Sequence, residues 1–446
     1  MSQGSFPEHN WNSYAFCFTF SPFPVRIYVM GDNEREGAPV TVEKNITAAE
    51  EEIKNSNESI FINLALLFGA ALIVFVNFSS SLTVLPLYVL ELGGTEFTSG
   101  LQNTIFFIAA IILRTYFGPL ADSKGRKLPL LIGAAAFATA PVLFYFSSSL
   151  LMLILSRIYQ AIGLAAFFSS STSLVADLAP KDKTGSYIST YRILMSLSLL
   201  IGPAGSMVLV KQYGYTAWFM SSFLVGVPGI IFIALLKAPA LSKKDKIGSW
   251  ERFKIVLSNR KLWLALQGVS LIAICIGALL TYAIIHISQV TELTNPAVYF
   301  TYYALAGITA NLYAGRLSDR FGRQAVFWPA IIISGLGLIT LFFIPVRESF
   351  FIISGLLSGM GTSSSVSVGF AWVVDTVEEK MRATALALLE SAIDTSIALG
   401  TLIFGLFGTW LGLGNTFGLT GLLVIILGGF FLLQSVFSKS AAANSN

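Results

Sequence analysis

The sequence predicts an all-α integral membrane protein, and three observations carry that prediction. Of 446 residues, 54% are hydrophobic and only 12% charged, against about 25% charged in ordinary soluble domains. A water-soluble chain of this size must cover its surface with charge, and this one has too little, so the missing solvent is lipid. Uncharged runs long enough to cross a bilayer, which takes about 20 residues, recur between short polar segments. The chain also repeats itself half-way along.

Twelve spans are expected: 61–90 (α1), 98–117 (α2), 128–147 (α3), 150–175 (α4), 186–209 (α5), 215–236 (α6), 262–288 (α7), 297–315 (α8), 325–345 (α9), 350–374 (α10), 384–409 (α11) and 417–437 (α12). Backbone groups cannot go unpaired in hydrocarbon, and barrel strands need only about ten residues, so runs this long cross as helices. The charged residues inside these runs are Arg114, Arg157, Arg192, Glu390 and Asp394.

The loops set the orientation. Those after the even-numbered spans hold 18 lysines and arginines, eight of them between Lys237 and Lys261, while the opposite loops hold Lys211 and Arg347. Positive charge stays inside, so both termini are expected in the cytoplasm, with the protein in the cell membrane. The basic balance therefore reflects topology and calls for no nucleic-acid partner. Residues 1–59 form an N-terminal tail without the basic start and apolar core of a cleaved signal. Either translation starts at Met30, or the tail carries a short helix opened by the capping-box pair Thr47 and Glu50. The expected division is then a first half 60–237, a linker 238–260 with Trp250 and Phe253 suited to lipid headgroups, a second half 261–437 and a tail 438–446. Cys17 and Cys275 cannot build a disulfide framework, and two histidines are too few for a typical zinc site, so no metal or cofactor is expected.

The repeat is visible in the loops. Gly118-Pro-Leu-Ala-Asp122-Ser-Lys-Gly125-Arg126 follows α2, and Gly315-Arg-Leu-Ser-Asp319-Arg-Phe-Gly322-Arg323 follows α8, 197 residues later. Asp177 after α4 and Asp375 after α10 are 198 residues apart. Two six-helix halves related along the membrane normal place a substrate site near the midplane between them, and rocking of the halves alternates its access.

The paired loops resemble the G-x-L-a-D-r-x-G-r-k signature of the major facilitator superfamily, whose layout of twelve spans and a basic central linker fits residues 60–437. The resemblance implies that Gly118, Asp122, Gly125, Arg126, Gly315, Asp319, Gly322 and Arg323 latch the halves on the cytoplasmic side. The glycines suit a tight inter-helix turn, and the arginines suit the headgroups. In α4, Arg157-Ile-Tyr-Gln160-Ala-Ile-Gly163-Leu-Ala165 resembles the family's R-x-x-Q-G-x-G-x-A pattern, with Ala161 in place of a glycine. In α5, Gly202-Pro203-Ala-Gly205 resembles part of the G-P-x-x-G-G pattern of exporters that exchange drugs or metabolites for protons. Here Ser206 and Met207 replace the last glycines, and Ser198 replaces an earlier one. The resemblance further implies that α1, α4, α7 and α10 line the cavity.

Ionisable groups in a span are costly and mark function. Glu390 and Asp394 stand four residues apart on one helix face, where a carboxyl is suited to take up and release a proton. In the repeat register Glu390 corresponds to Arg192. Depth along the helices makes Arg114 the expected partner of this carboxylate pair, and a static ion pair closing one end of the bundle is the plainer alternative. Arg157 suits either a coupling role or bonding to Gln160. Polar candidates for the substrate cavity are Asn77, Gln102, Asn103, Gln160, His286, Tyr302 and Trp372. Serines in spans also serve as packing residues, and His286 is equally suited to a carbonyl partner.

The function expected is secondary transport of a small molecule by a monomer in the bilayer, with a proton as coupling ion. Export follows from the resemblance, while the residues alone leave uptake open. A membrane enzyme would need a cluster such as H-E-x-x-H, a pump would need G-x-x-x-x-G-K-[ST], and both motifs are absent. A sensor would carry a larger soluble domain.

Overall fold

The computed structural model describes residues 39–180, 184–237, 249–378 and 381–444; the side chains of 39–59, Asp122, 184–186, Ser189, 249–253, Lys261, Ala383, Val436 and 438–444 are outside that description. Lys181, Lys183, Ser242 and Lys380 lie outside it too, as do Cys17 and Met30. The chain separates into units Met1–Ser56 and Asn57–Asn446. The described residues of the first unit are helical from Pro39, ahead of the Thr47–Glu50 pattern, which therefore does not start a helix.

The described part of the second unit is helical throughout, with no strand. Its observed spans are α1 (within Pro39–Glu91), α2 (Glu96–Lys124), α3 (Lys127–Tyr145), α4 (Leu150–Leu178), α7 (Arg260–Val290), α8 (Val298–Phe321), α9 (Arg323–Phe342), α10 (Phe350–Thr376), α11 (Arg382–Leu411) and α12 (Leu413–Asn444). The stretch Thr184–Leu235 breaks at Gly214, whose φ of 80° turns the chain, and so supplies both α5 and α6. Among the described residues ten helices are long and apolar enough to cross a membrane on length and composition alone. The division at Gly214 and the more polar α8 bring the spans to twelve, in two pseudo-symmetric halves. The linker contributes a short helix, Ser249–Ser258.

Several helices outrun their apolar runs, α2 by seven residues at its C-terminal end, because the backbone keeps its internal hydrogen bonds into the headgroup zone. Gly118 and Gly315 therefore sit inside α2 and α8 and do not form the turns. The turns are made by Gly125 and Gly322, at φ 91° and 95°. A side chain would be strained there, and Gly118 carries no such constraint.

Within the first half α2 and α3 pack on α4, and α3 packs on the α5–α6 hairpin; in the second, α10 lies between α8 and α9, and α9 packs on α12. The halves meet chiefly along α2–α11 and α5–α8, and α7 also touches α2. The end carrying Arg126, Lys127, Arg316, Arg320 and Arg323 is termed the basic end, and the other the far end.

Candidate functional site between the halves

The two halves are joined by two layers of different chemistry. Near the far end the contacts are hydrogen bonds, with no ion pair among the described residues. Thr104 of α2 donates to the Ala398 carbonyl of α11 at 3.1 Å and pairs with the Thr401 hydroxyl at 2.7 Å. Across the pseudo-axis, Thr301 of α8 donates to the Leu200 carbonyl of α5 at 3.2 Å, and Asn295 donates to Ala204 at 3.1 Å. Gln289 bonds Glu96 at 3.0 Å. Gly100 permits the close approach, since a Cβ there would lie 2.7 Å from the Thr401 carbonyl and closer still to the Tyr282 hydroxyl.

Toward the basic end, roughly 15 Å further along α2 at 1.5 Å per residue, the contacts are charged. Arg114 Nη2 lies 2.6 Å from Asp394 Oδ2, and Arg192 Nη2 lies 3.6 Å from Glu390 Oε1. Arg192 also covers the Phe370 ring of α10, its Cζ 3.5 Å from the centroid. The second pair keeps about a third of each side chain accessible, 34% and 33%, against 18% and 12% for the first. The sequence expected Arg114 to serve both carboxylates. The structure pairs it with Asp394 and brings Arg192 to Glu390, because positions related by the repeat meet near the pseudo-axis.

A third polar group is buried around Arg157 of the first half. Arg157 is fully buried. It donates to Gln160 Oε1 and, at 2.6 Å, to Asn103 Oδ1, and its guanidinium lies 4.1 Å from the Phe106 ring centroid. Gln160 in turn donates to Ser81 at 3.0 Å. Just beyond this cluster α4 makes a π-helical turn, Leu164–Phe168, starting after Gly163, whose Cα packs on Phe137 so closely that a Cβ would lie 2.5 Å from the ring. Such turns disturb the helical register and recur at functional positions.

The loops tie each half to itself. Arg126 reaches Asp177 at 3.4 Å, and Arg323 reaches Asp375 at 2.7 Å and also engages Asp319 and Ser318. These contacts join a loop to the end of the fourth span of the same half; the side chain of Asp122, which the resemblance places in a latch between halves, lies outside the described residues. Among the described residues no group of three His, Cys, Asp or Glu is placed to hold a metal.

The family model described as Major Facilitator Superfamily matches residues 67–302 and 297–445. The chain belongs to the Major Facilitator Superfamily. It is 27% identical over 296 residues to the multidrug resistance protein MdtG of Klebsiella pneumoniae strain 342, covering 63% of this chain and 71% of that one. An uncharacterised MFS-type transporter of Bacillus subtilis, YtbD, is 25% identical over 353 residues, covering 77% and 88%. The fold matches a crystal structure of the nucleoside transporter NupG with a TM-score of 0.71 at 13% identity, over 83% of this chain and 99% of that one. A bacterial homologue of the lysosomal transporter Spinster matches with a TM-score of 0.69 at 15% identity, over 84% and 96%.

This superfamily member gathers some of the expected site residues and disperses others. Arg157, Gln160 and Asn103 form one cluster, and Gln102 is buried beside Asn103 with its amide donating to Ser99. Four cavity candidates are instead packed within their own halves. Asn77 donates to the Ser222 carbonyl of α6, and His286 meets the Leu341 carbonyl at 3.0 Å. Tyr302 packs on Phe351, and Trp372 packs between Phe327 and Trp328. Spans bury polar groups against neighbouring carbonyls as readily as they expose them to a cavity, so polarity alone did not separate the two cases. Ser206, where the exporter pattern has glycine, bonds Ser80 at 2.9 Å, and Gly202 lies against Ser79, where a Cβ would approach to 2.6 Å. The α1–α5 contact thus survives the substitution.

Thr104, Thr301, Thr281 and Thr401 escaped the sequence reading. A signal existed for two of them, since Thr104 and Thr301 are related by the same 197-residue offset as the loops, and their acceptors Leu200 and Ala398 by 198.

Proposed function

We propose that this secondary transporter exports small amphipathic compounds in exchange for protons, as a monomer in the cell membrane with the basic end cytoplasmic. The observation that carries the reading is the pair of arginine–carboxylate contacts between the halves, Arg114–Asp394 and Arg192–Glu390. A carboxylate that holds a cation across a moving interface can be released by one proton, so protonation and opening of that end become linked. The multidrug resistance relatives favour export. The hydrogen-bonded far-end layer would open when the basic end closes. In this reading the chain divides into the tail 1–59, the halves 60–237 and 261–437, the linker 238–260 and the tail 438–446, and transport uses no metal or cofactor.

The test uses everted membrane vesicles with an acid interior and ethidium as probe. Export predicts gradient-dependent accumulation that a protonophore collapses, and absence of accumulation above control vesicles contradicts it. For topology, Val346, 79% exposed at the far end, and Arg320 at the basic end are replaced singly by cysteine in a chain carrying Cys17→Ser and Cys275→Ala. Labelling of V346C alone in intact cells is expected, and labelling of R320C there would reverse the orientation.

A further inference from the structure

Asn103 is the side chain through which the buried Arg157 cluster reaches the other half. Its Oδ1 accepts from Arg157 Nη2 at 2.6 Å, while its amide nitrogen donates to the Leu82 carbonyl at 3.2 Å and to the Thr281 hydroxyl of α7 at 2.9 Å. Asn103 and Arg157 are fully buried, and Thr281 is nearly so. A guanidinium can only donate, so Arg157 fixes which end of the Asn103 amide faces it and thereby aims the amide donors at α7. Arg157 and Thr281 share no hydrogen bond between them. Arg157 Nε has no hydrogen-bond partner among the described residues, which leaves the guanidinium held by Asn103, Gln160 and the Phe106 face.

Packing does not require this arrangement. By the 197- and 198-residue offsets of the repeat, the second half has Phe300 where the first has Asn103 and Gly355 where it has Arg157. Phe300 is wholly buried in that half's core without any such network. A buried charge kept in one half and absent from its counterpart is a cost that folding alone does not explain.

We propose that Asn103 is a positioning residue that couples the state of Arg157 to the closure of the far end. While Arg157 holds the Asn103 oxygen, the amide stays aimed at Thr281 and the halves are pinned. When Arg157 is drawn away by a competing hydrogen-bond acceptor, the amide is free to rotate, the bond to Thr281 is lost and the far end loosens. This rests on the reading of the chain as an alternating-access transporter, but its test reads conformation directly and needs no substrate.

The experiment places spin labels on Tyr213→Cys and Val346→Cys, exposed far-end sites in the two halves, with Cys17→Ser and Cys275→Ala in the full-length chain. Double electron–electron resonance then measures the ratio of open to closed far ends. Loss of one buried hydrogen bond predicts a shift of about fivefold toward open for Thr281→Val, whose shape is retained, and no shift for Thr281→Ser. Asn103→Asp keeps the acceptor for Arg157 but loses the donor, and it should behave as Thr281→Val does. Arg157→Gln should also shift the ratio, and combined with Thr281→Val it should shift it no further than the larger single effect, since both act through Asn103. Independent, multiplying effects of Arg157→Gln and Thr281→Val would overturn the proposal, as would an unchanged distance distribution in Thr281→Val. Either result would leave the ethidium assay, and with it the transport reading, standing.

Discussion

The α2–α11 and α5–α8 interfaces are related by the internal repeat, and they agree at one end and differ at the other. At the far end each is fastened by a threonine on the even-numbered helix donating to a carbonyl on the odd one, Thr104 to Ala398 and Thr301 to Leu200. Toward the basic end α2–α11 carries Arg114 against Asp394, while the repeat places the uncharged Asn311 and Ser196 at the matching positions of α8 and α5. Asn311 leaves its side-chain oxygen buried and without a hydrogen-bond partner among the described residues. The threonine-to-carbonyl contacts recur in both interfaces, whereas the Arg114–Asp394 pair belongs to α2–α11 alone, and under the proposed function it is a part that a proton would reset.

The largest effect is expected from making the interfaces alike. Arg114→Asn combined with Asp394→Ser gives α2–α11 the neutral pair of α5–α8. Removing both partners leaves no uncompensated buried charge, so the protein should reach the membrane at normal levels. Ethidium transport driven by a pH gradient should fall at least about tenfold, equivalent to 1.4 kcal/mol or more of lost coupling, whereas Asn311→Ala should change it less than about twofold. Comparable losses in both would abolish the distinction between the interfaces. Next in size, Thr104→Val and Thr301→Val should each open the far end by about threefold to fivefold, the weight of a buried hydrogen bond. Equal shifts in the Tyr213–Val346 label distances support the pseudo-symmetric hinge, and a shift in only one contradicts it. The smallest effects concern the loops. Gly125→Ala meets the left-handed penalty and should lower stability by about 1 kcal/mol, while Gly118→Ala, in a helix with open space at its Cβ, should be neutral or slightly stabilising. Thermal unfolding in detergent distinguishes them. Arg126→Gln should cost no more than about 1 kcal/mol, because its contact with Asp177 is half exposed.

Much of this was legible in the sequence, and the residues show why. Apolar runs and loop charges suffice for the spans, since lipid imposes length and satisfaction of the backbone on every one of them. They fail at α5 and α6 only in the extent of the connection, which the structure reduces to a turn at Gly214. Glu390, Asp394, Arg114 and Arg192 stood out because charge in hydrocarbon is rare, and the repeat register related Arg192 to Glu390. The exact pairing was not legible, because depth along a helix fixes height but not rotation, and two arginines lie at similar heights. Hidden as well was the division of polar residues into sealing contacts and packing contacts. Asn77 and Asn103 are the same residue type on neighbouring helices, yet one bonds within its half and the other crosses to α7.

The most direct test compares two transport modes in proteoliposomes carrying the wild type, Glu390→Gln or Asp394→Asn. If the α11 carboxylates carry the coupled proton, the variants lose the response to an imposed pH gradient while exchange of ethidium between equal pools stays within about twofold of wild type. A gradient response in both variants equal to that of the wild type would contradict the assignment of coupling to these carboxylates.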